Sequence, residues 1–148
     1  MGSMARRARQ GGGTGSAQPE RRILLVDGRA VGTVEVARSF RDRSRGLLGR
    51  DGINGALLLE PAMSVHTIGM RFSLDVAFCD RHHRVLAIRQ MRPGRMTRPR
   101  ARCRAVLEAE RGSFASWDLV AGSQLALGSE VDPESAGRDG PAPVPVVP

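Results

Sequence analysis

Short apolar runs, each soon interrupted by glycine, proline or a charged pair, fill the middle of the chain. Arg22 to Asp27 and Ala30 to Ala37 are rich in Val and Leu and flank Gly28-Arg29. The Asp27-Gly28 step is a hairpin signal. Ser39 stands as a cap ahead of a helix that places Phe40, Leu47 and Leu48 on one face, with Gly49 as its stop. Gly55 to Glu60 reads as a strand of consecutive apolar residues ended by Pro61. Phe72 to Phe78 alternates: Phe72, Leu74, Val76 and Phe78 point one way, Ser73, Asp75 and Ala77 the other. Arg84 to Gln90 returns after a turn at Arg81-His82-His83. Cys103 to Glu110 and Ser123 to Leu127 supply two more strands, and a helical turn fits Phe114 to Leu119. About seven short strands with one short helix predict an α+β domain, a small curled antiparallel sheet or partly open barrel.

The ends differ from this pattern. Residues 1–20 are Gly, Ser, Gln and Arg without periodicity, and residues 129–148 finish in a Pro-rich run. Neither buries enough apolar surface to offset the entropy of ordering. A disordered basic arm and a disordered acidic tail are therefore expected around a single globular domain at 21–128.

Composition narrows the chemistry. All 23 basic residues are arginines, and lysine and tyrosine are absent from the 148 residues. A Schiff-base lysine and a phosphate-loop lysine are thus excluded. No apolar run approaches the roughly 18 residues of a membrane-spanning helix. The net charge of +8 would favour nucleic acid or another anionic partner, but total use of Arg over Lys also fits a compositional bias. Phe40, Phe72, Phe78 and Phe114 are scattered among apolar neighbours, which is a poor platform for base stacking, so nucleic-acid binding is the lesser expectation. No apolar segment follows Arg6, Arg7 and Arg9, so export is not supported. A cytoplasmic monomer with reduced Cys79 and Cys103 is expected.

Several motifs occur in a distinctive order. Gly46-Leu47-Leu48-Gly49-Arg50 precedes Gly55-Ala56-Leu57-Leu58-Leu59, and Val65-His66-Thr67-Ile68-Gly69-Met70-Arg71-Phe72-Ser73-Leu74-Asp75-Val76-Ala77-Phe78 follows. With Val106-Leu107-Glu108, this order resembles the uncharacterised prokaryotic family called domain of unknown function 192, over residues 22–127. The family centre has Trp where this chain has His66, Asn at Gly69, Thr at Met70 and Pro at Ser73; a later Gly-Asp turn has Asp at Ser123. The chain is closer to a branch whose centre reads Ile-His-Thr-x-x-Met-Arg-Phe-Pro-Ile-Asp. The resemblance implies a fold and carries over Asp75, and it implies no reaction.

The candidate chemistry gathers around that centre. If the sheet curls, Asp75 enters its interior and needs a partner, which Arg71 or the 66–71 segment would provide. His66, Thr67, Arg71, Asp75 and Glu108 are therefore the candidate ligand-binding residues of a binding or scaffolding module. Its ligand would be a small polar molecule or a protein. Two other readings compete: a hydrolytic enzyme using His66 and Asp75, and a purely structural Asp75 that anchors the loop. Cys79, His82, His83 and Cys103 lack the paired spacing of a zinc site, and nothing marks either cysteine as an activated nucleophile, so no metal or cofactor is expected. Nine arginines and no acid lie between Arg81 and Arg104. Arg92, Arg95, Arg98 and Arg100 are candidates for anion or nucleic-acid binding, against a reading of that loop as a solvated, mobile connector.

Overall fold

The computed structural model describes residues 19–132. Residues 1–18 and 133–148, most of the expected basic arm and acidic tail, lie outside the described residues. The parts of those segments that are described are strand at Glu20, Ser129 and Glu130. The strands are β1 (Glu20–Val26), β2 (Arg29–Ala37), β3 (Ala56–Leu59), β4 (Leu74–Cys79), β5 (Val85–Met91), β6 (Ala105–Glu110) and β7 (Leu125–Glu130). Two short helices, α1 (Phe40–Arg45) and α2 (Ser113–Ser116), interrupt them. No described helix is long and apolar enough to cross a membrane.

All seven strands form one sheet in the order β5-β4-β6-β3-β2-β1-β7. Every neighbouring pair is antiparallel except β2 with β3, which run parallel across the α1 connection. The sheet is α+β and curled but not closed. At one end its edges meet: Val85 donates to the Ser123 carbonyl (2.9 Å), Gly122 to Val85 (2.8 Å) and Leu125 to His83 (3.0 Å).

Curling gives the sheet two apolar faces. Leu24, Val34, Leu58, Ala77, Leu107 and Leu125 fill the inner one, where Phe114 of α2 and Leu119 plug the space. Leu57, Leu59, Leu74, Val76, Phe78 and Val106 make the outer one, covered by Leu47, Val65, Met70 and Cys103 from the loops. All six residues of β4 are buried because the strand serves both cores. Each large apolar side chain so buried contributes about 1.5–3 kcal/mol.

The short helix differs from its sequence expectation. Ser39 caps it as predicted, its hydroxyl accepting from the Asp42 N–H at 3.0 Å. It stops at Gly46 rather than Gly49, because Gly46 takes φ of 46° and its N–H closes the last turn on the Asp42 carbonyl (2.9 Å). Leu47 and Leu48 therefore follow the helix instead of lying on it.

Asp75 enters the inner face and is only 3% exposed, as the alternation of β4 requires. Its partners correct the sequence expectation. The 66–71 segment and Arg71 lie elsewhere, and Oδ2 accepts from the backbone N–H groups of Gly112 (2.9 Å) and Phe114 (3.0 Å). The carboxylate thus caps α2 from a neighbouring strand and holds Phe114 in the interior. Its other oxygen, Oδ1, is buried without a hydrogen-bond partner.

Two substitutions test this anchoring. Asp75→Ala leaves both N–H groups without an acceptor and should lower unfolding free energy by about 1–3 kcal/mol. Asp75→Asn, whose amide oxygen can still accept both bonds, should cost less. Denaturant titration of the two variants checks the order, and an Ala variant as stable as wild type would remove Asp75 from this role.

Candidate functional site

An acid within an apolar strand is the starting point. β6 reads Ala105-Val106-Leu107-Glu108-Ala109-Glu110, and the pleat that turns Ala105, Leu107 and Ala109 inward turns Glu108 outward. Cross-strand register places Glu35, Leu57, Glu108 and Val76 in one row over β2, β3, β6 and β4. Two acids in that row are buried, and their surroundings differ.

Glu35 is held by Arg50, at 2.9 Å, and Arg21, at 3.1 Å. Burial alone would raise its carboxyl, but hydrogen bonds and charge from Arg50 and then Arg21 outweigh it and lower the pKa. Glu108 is 4% exposed, and burial pushes its carboxyl up to about 7 with no neighbour offsetting it. Among the described residues one buried acid is thus paired and the other is not.

The space over Glu108 is a cleft of about 80 Å³. The end of α1 and the turn after it form one wall, from Arg43 to Leu48; Ser64, Val65, His66 and Met70 form the other. Arg43 is fixed in place, its guanidinium donating to the Pro61 carbonyl at 2.8 Å. His66 is exposed at the rim, while Val65 and Met70 are buried beside the floor. A volume near that of two or three water molecules admits a small group rather than a large ligand.

The structure therefore divides the five ligand candidates. His66 and Glu108 line the same cleft. Thr67 is fully buried and tethers a neighbouring segment instead, its hydroxyl donating to the Arg92 carbonyl (2.6 Å) and accepting from the Arg95 N–H (2.9 Å). Arg71 is exposed and pairs with Asp51 at 2.9 Å. Asp75 lies on the inner face, away from His66, so the two cannot act as a hydrolytic pair. The wall residues Arg43, Ser44 and Ser64 were missed because nothing local in the sequence connects them to β6.

The arginine segment is held rather than loose. Thr67 grips it at Arg92 and Arg95, the Thr97 N–H donates to the Val65 carbonyl (2.9 Å) while the Thr97 hydroxyl accepts from the Val65 N–H (3.0 Å), and the Arg100 N–H donates to the Met63 carbonyl at 3.0 Å. Its residues from Arg92 to Met96 are nonetheless exposed, as a solvated segment requires. Cys79 and Cys103 are both buried free thiols. Burial, then nearby negative groups, pushes Cys79 up to about 12, so it is no nucleophile at neutral pH. His83 faces Glu60 at 3.1 Å, and no metal-binding group of three or more His, Cys, Asp or Glu side chains occurs among the described residues.

A cleft of this kind can accept a hydrogen bond at its floor or take up a proton near neutral pH. Comparison with known proteins gives the fold company without a reaction. Residues 23–127 match the DUF192 family, described as an uncharacterized ACR. The UPF0127 protein PH1112 of Pyrococcus horikoshii is 33% identical over 86 residues, covering 55% of this chain and 75% of that protein. A crystal structure of a protein of unknown function from Novosphingobium aromaticivorans superposes with a TM-score of 0.61 at 22% identity, over 72% of this chain and 83% of that one. Another, from Sinorhizobium meliloti and named a "putative transcription regulator", gives 0.64 at 21% identity, over 74% and 94%. At these identities the likeness is one of fold.

Glu108 predicts a pH dependence. Below its ordinary value of 4.5 the carboxyl is protonated in both folded and unfolded chains, and burial carries no ionic penalty. Between 4.5 and about 7 the unfolded chain loses the proton first, so native stability falls as pH rises. Above about 7 the full penalty, roughly 3 kcal/mol, is present. Glu108→Gln removes the titration. The stability of the variant relative to wild type should therefore rise by about that amount across the interval. Urea denaturation at several pH values checks it, and parallel profiles for the two proteins would contradict it.

Proposed function

The chain belongs to the DUF192 family, and from that premise we propose that it is a binding module that takes a small polar ligand, or the polar end of a larger one, into the Glu108 cleft. The observation that carries this reading is the buried carboxyl at the cleft floor with no partner among the described residues. A buried acid left unpaired lowers stability unless something else satisfies it. Glu35, in the same row, shows how a buried acid on this face is paired: two arginines close on it. Glu108 faces open space instead, and a hydroxyl, amide or amine entering the cleft would supply the missing donor. His66 at the rim and the serines of the walls would contact the rest of the ligand.

Binding suits the cleft better than hydrolysis. Asp75 is committed to α2, so the His66–Asp75 pair that a hydrolytic reading requires is not formed. A cytoplasmic, monomeric state is part of the same proposal, and two buried thiols left unbridged suit a reducing compartment.

A panel of small alcohols, amides and amines, followed by amide chemical shifts in the labelled protein, tests the reading. Saturable shifts at Leu47, Val65 and Met70 are expected in wild type and lost in Glu108→Leu, which removes the acceptor. Shifts that persist in that variant, or that cluster away from the cleft, would remove Glu108 as the anchor. Turnover in a hydrolase screen that disappears in His66→Ala would replace binding with catalysis.

A further inference from the structure

A larger cleft, of about 560 Å³, opens between the end of β5 and the 92–100 segment. Arg89, Arg92, Arg95, Arg98 and Arg100 line it, and no acid does. Other arginines of the fold face carboxylates: Arg21 and Arg50 meet Glu35, Arg38 meets Glu20 and Glu60, and Arg29 meets Asp118. None of the five in this cleft makes an ion pair among the described residues. Five like charges around one concavity repel one another, and the repulsion is relieved by an anion at the centre.

The backbone carrying these side chains is set in advance. Thr67, fully buried, donates to the Arg92 carbonyl and accepts from the Arg95 N–H, while its own backbone N–H donates to the Arg95 carbonyl at 2.7 Å. Gly94 donates back to the Thr67 carbonyl at 2.8 Å. Arg100 is fixed from the other side, its guanidinium lying 4.6 Å over the Phe78 ring. Anchoring of this kind lowers the ordering entropy a ligand must otherwise overcome.

From this geometry we infer that the cleft binds a small ligand carrying two or more linked phosphate groups. Planar guanidinium groups match phosphate oxygens in pairs, and five of them ask for several negative charges close together. The volume lies in the range of small-molecule sites, roughly 300–1,000 Å³, and the space is a single concavity rather than a track along the surface. Stacking of nucleic-acid bases lacks its platform here, because the ring beneath Arg100, Phe78, is buried and already covered by that guanidinium. The arginine cleft and the Glu108 cleft stand on separate observations, and either can bind without the other.

Calorimetric titration of the full chain with tripolyphosphate tests it. The cleft variant is Arg92→Gln with Arg98→Gln; the control, Arg29→Gln with Arg38→Gln, removes the same charge elsewhere. One saturable site is expected in wild type, weakened at least about tenfold in the cleft variant and little changed in the control. Matching melting temperatures establish that both variants fold. Equal losses in the two variants would assign binding to diffuse positive charge and overturn the proposal. So would tripolyphosphate that fails to saturate while a single-stranded oligonucleotide does.

Discussion

A sheet with apolar side chains on both faces must have both covered, and the described residues contain almost no helix with which to do it. α1 has six residues and α2 four. Curling solves half the problem, since the inner face packs on itself around Leu24, Leu58 and Leu107 with Phe114 as the plug. The outer face of β3, β4 and β6 is left to loops, and Leu47, Val65, Met70 and Cys103 are the residues that cover it. Loops can do this only where their backbone polar groups are satisfied. That is why the 63–67 and 92–100 segments are bonded to one another at Met63, Val65 and Thr67, and why a threonine with no exposed surface sits between two stretches of exposed residues.

Covering a flat face with loops leaves gaps, and the gaps are where polar groups collect. Between the α1 turn and the 64–70 segment the gap reaches down to Glu108; between β5 and the 92–100 segment it is ringed by arginine. The same short segment, Val65-His66-Thr67, borders the first cleft with Val65 and His66 and grips the loop of the second with Thr67. Both clefts are thus products of one packing constraint, although their chemistry is opposite.

Much of the fold was legible because strand periodicity is a local signal. The alternation of Leu74, Val76 and Phe78 against Asp75 and Ala77 placed β4 between two environments, and the Asp27-Gly28 turn joined β1 to β2. The parallel pairing of β2 with β3 was not legible, since α1 is too short to suggest a crossover unit. Neither was the partner of Asp75. Arg71 is close in sequence, but the groups that reach the carboxylate are 37 and 39 residues further along. Only the register of β4 against β6 brings the turn after β6 to that end of the sheet. Glu108 was legible as a candidate ligand-binding residue, whereas its isolation among the described residues depends on what the α1 turn and the 64–70 segment leave open.

The central claim is that Glu108 is a buried carboxyl left unpaired among the described residues. Carbon-13 labelling of glutamate side chains, with Glu108→Gln to assign the resonance, reads its ionisation directly. A titration midpoint of about 7 is the predicted result. A midpoint at the ordinary glutamate value of 4.5 would mean that solvent or a cationic neighbour reaches the carboxyl, and the account of the cleft would fail.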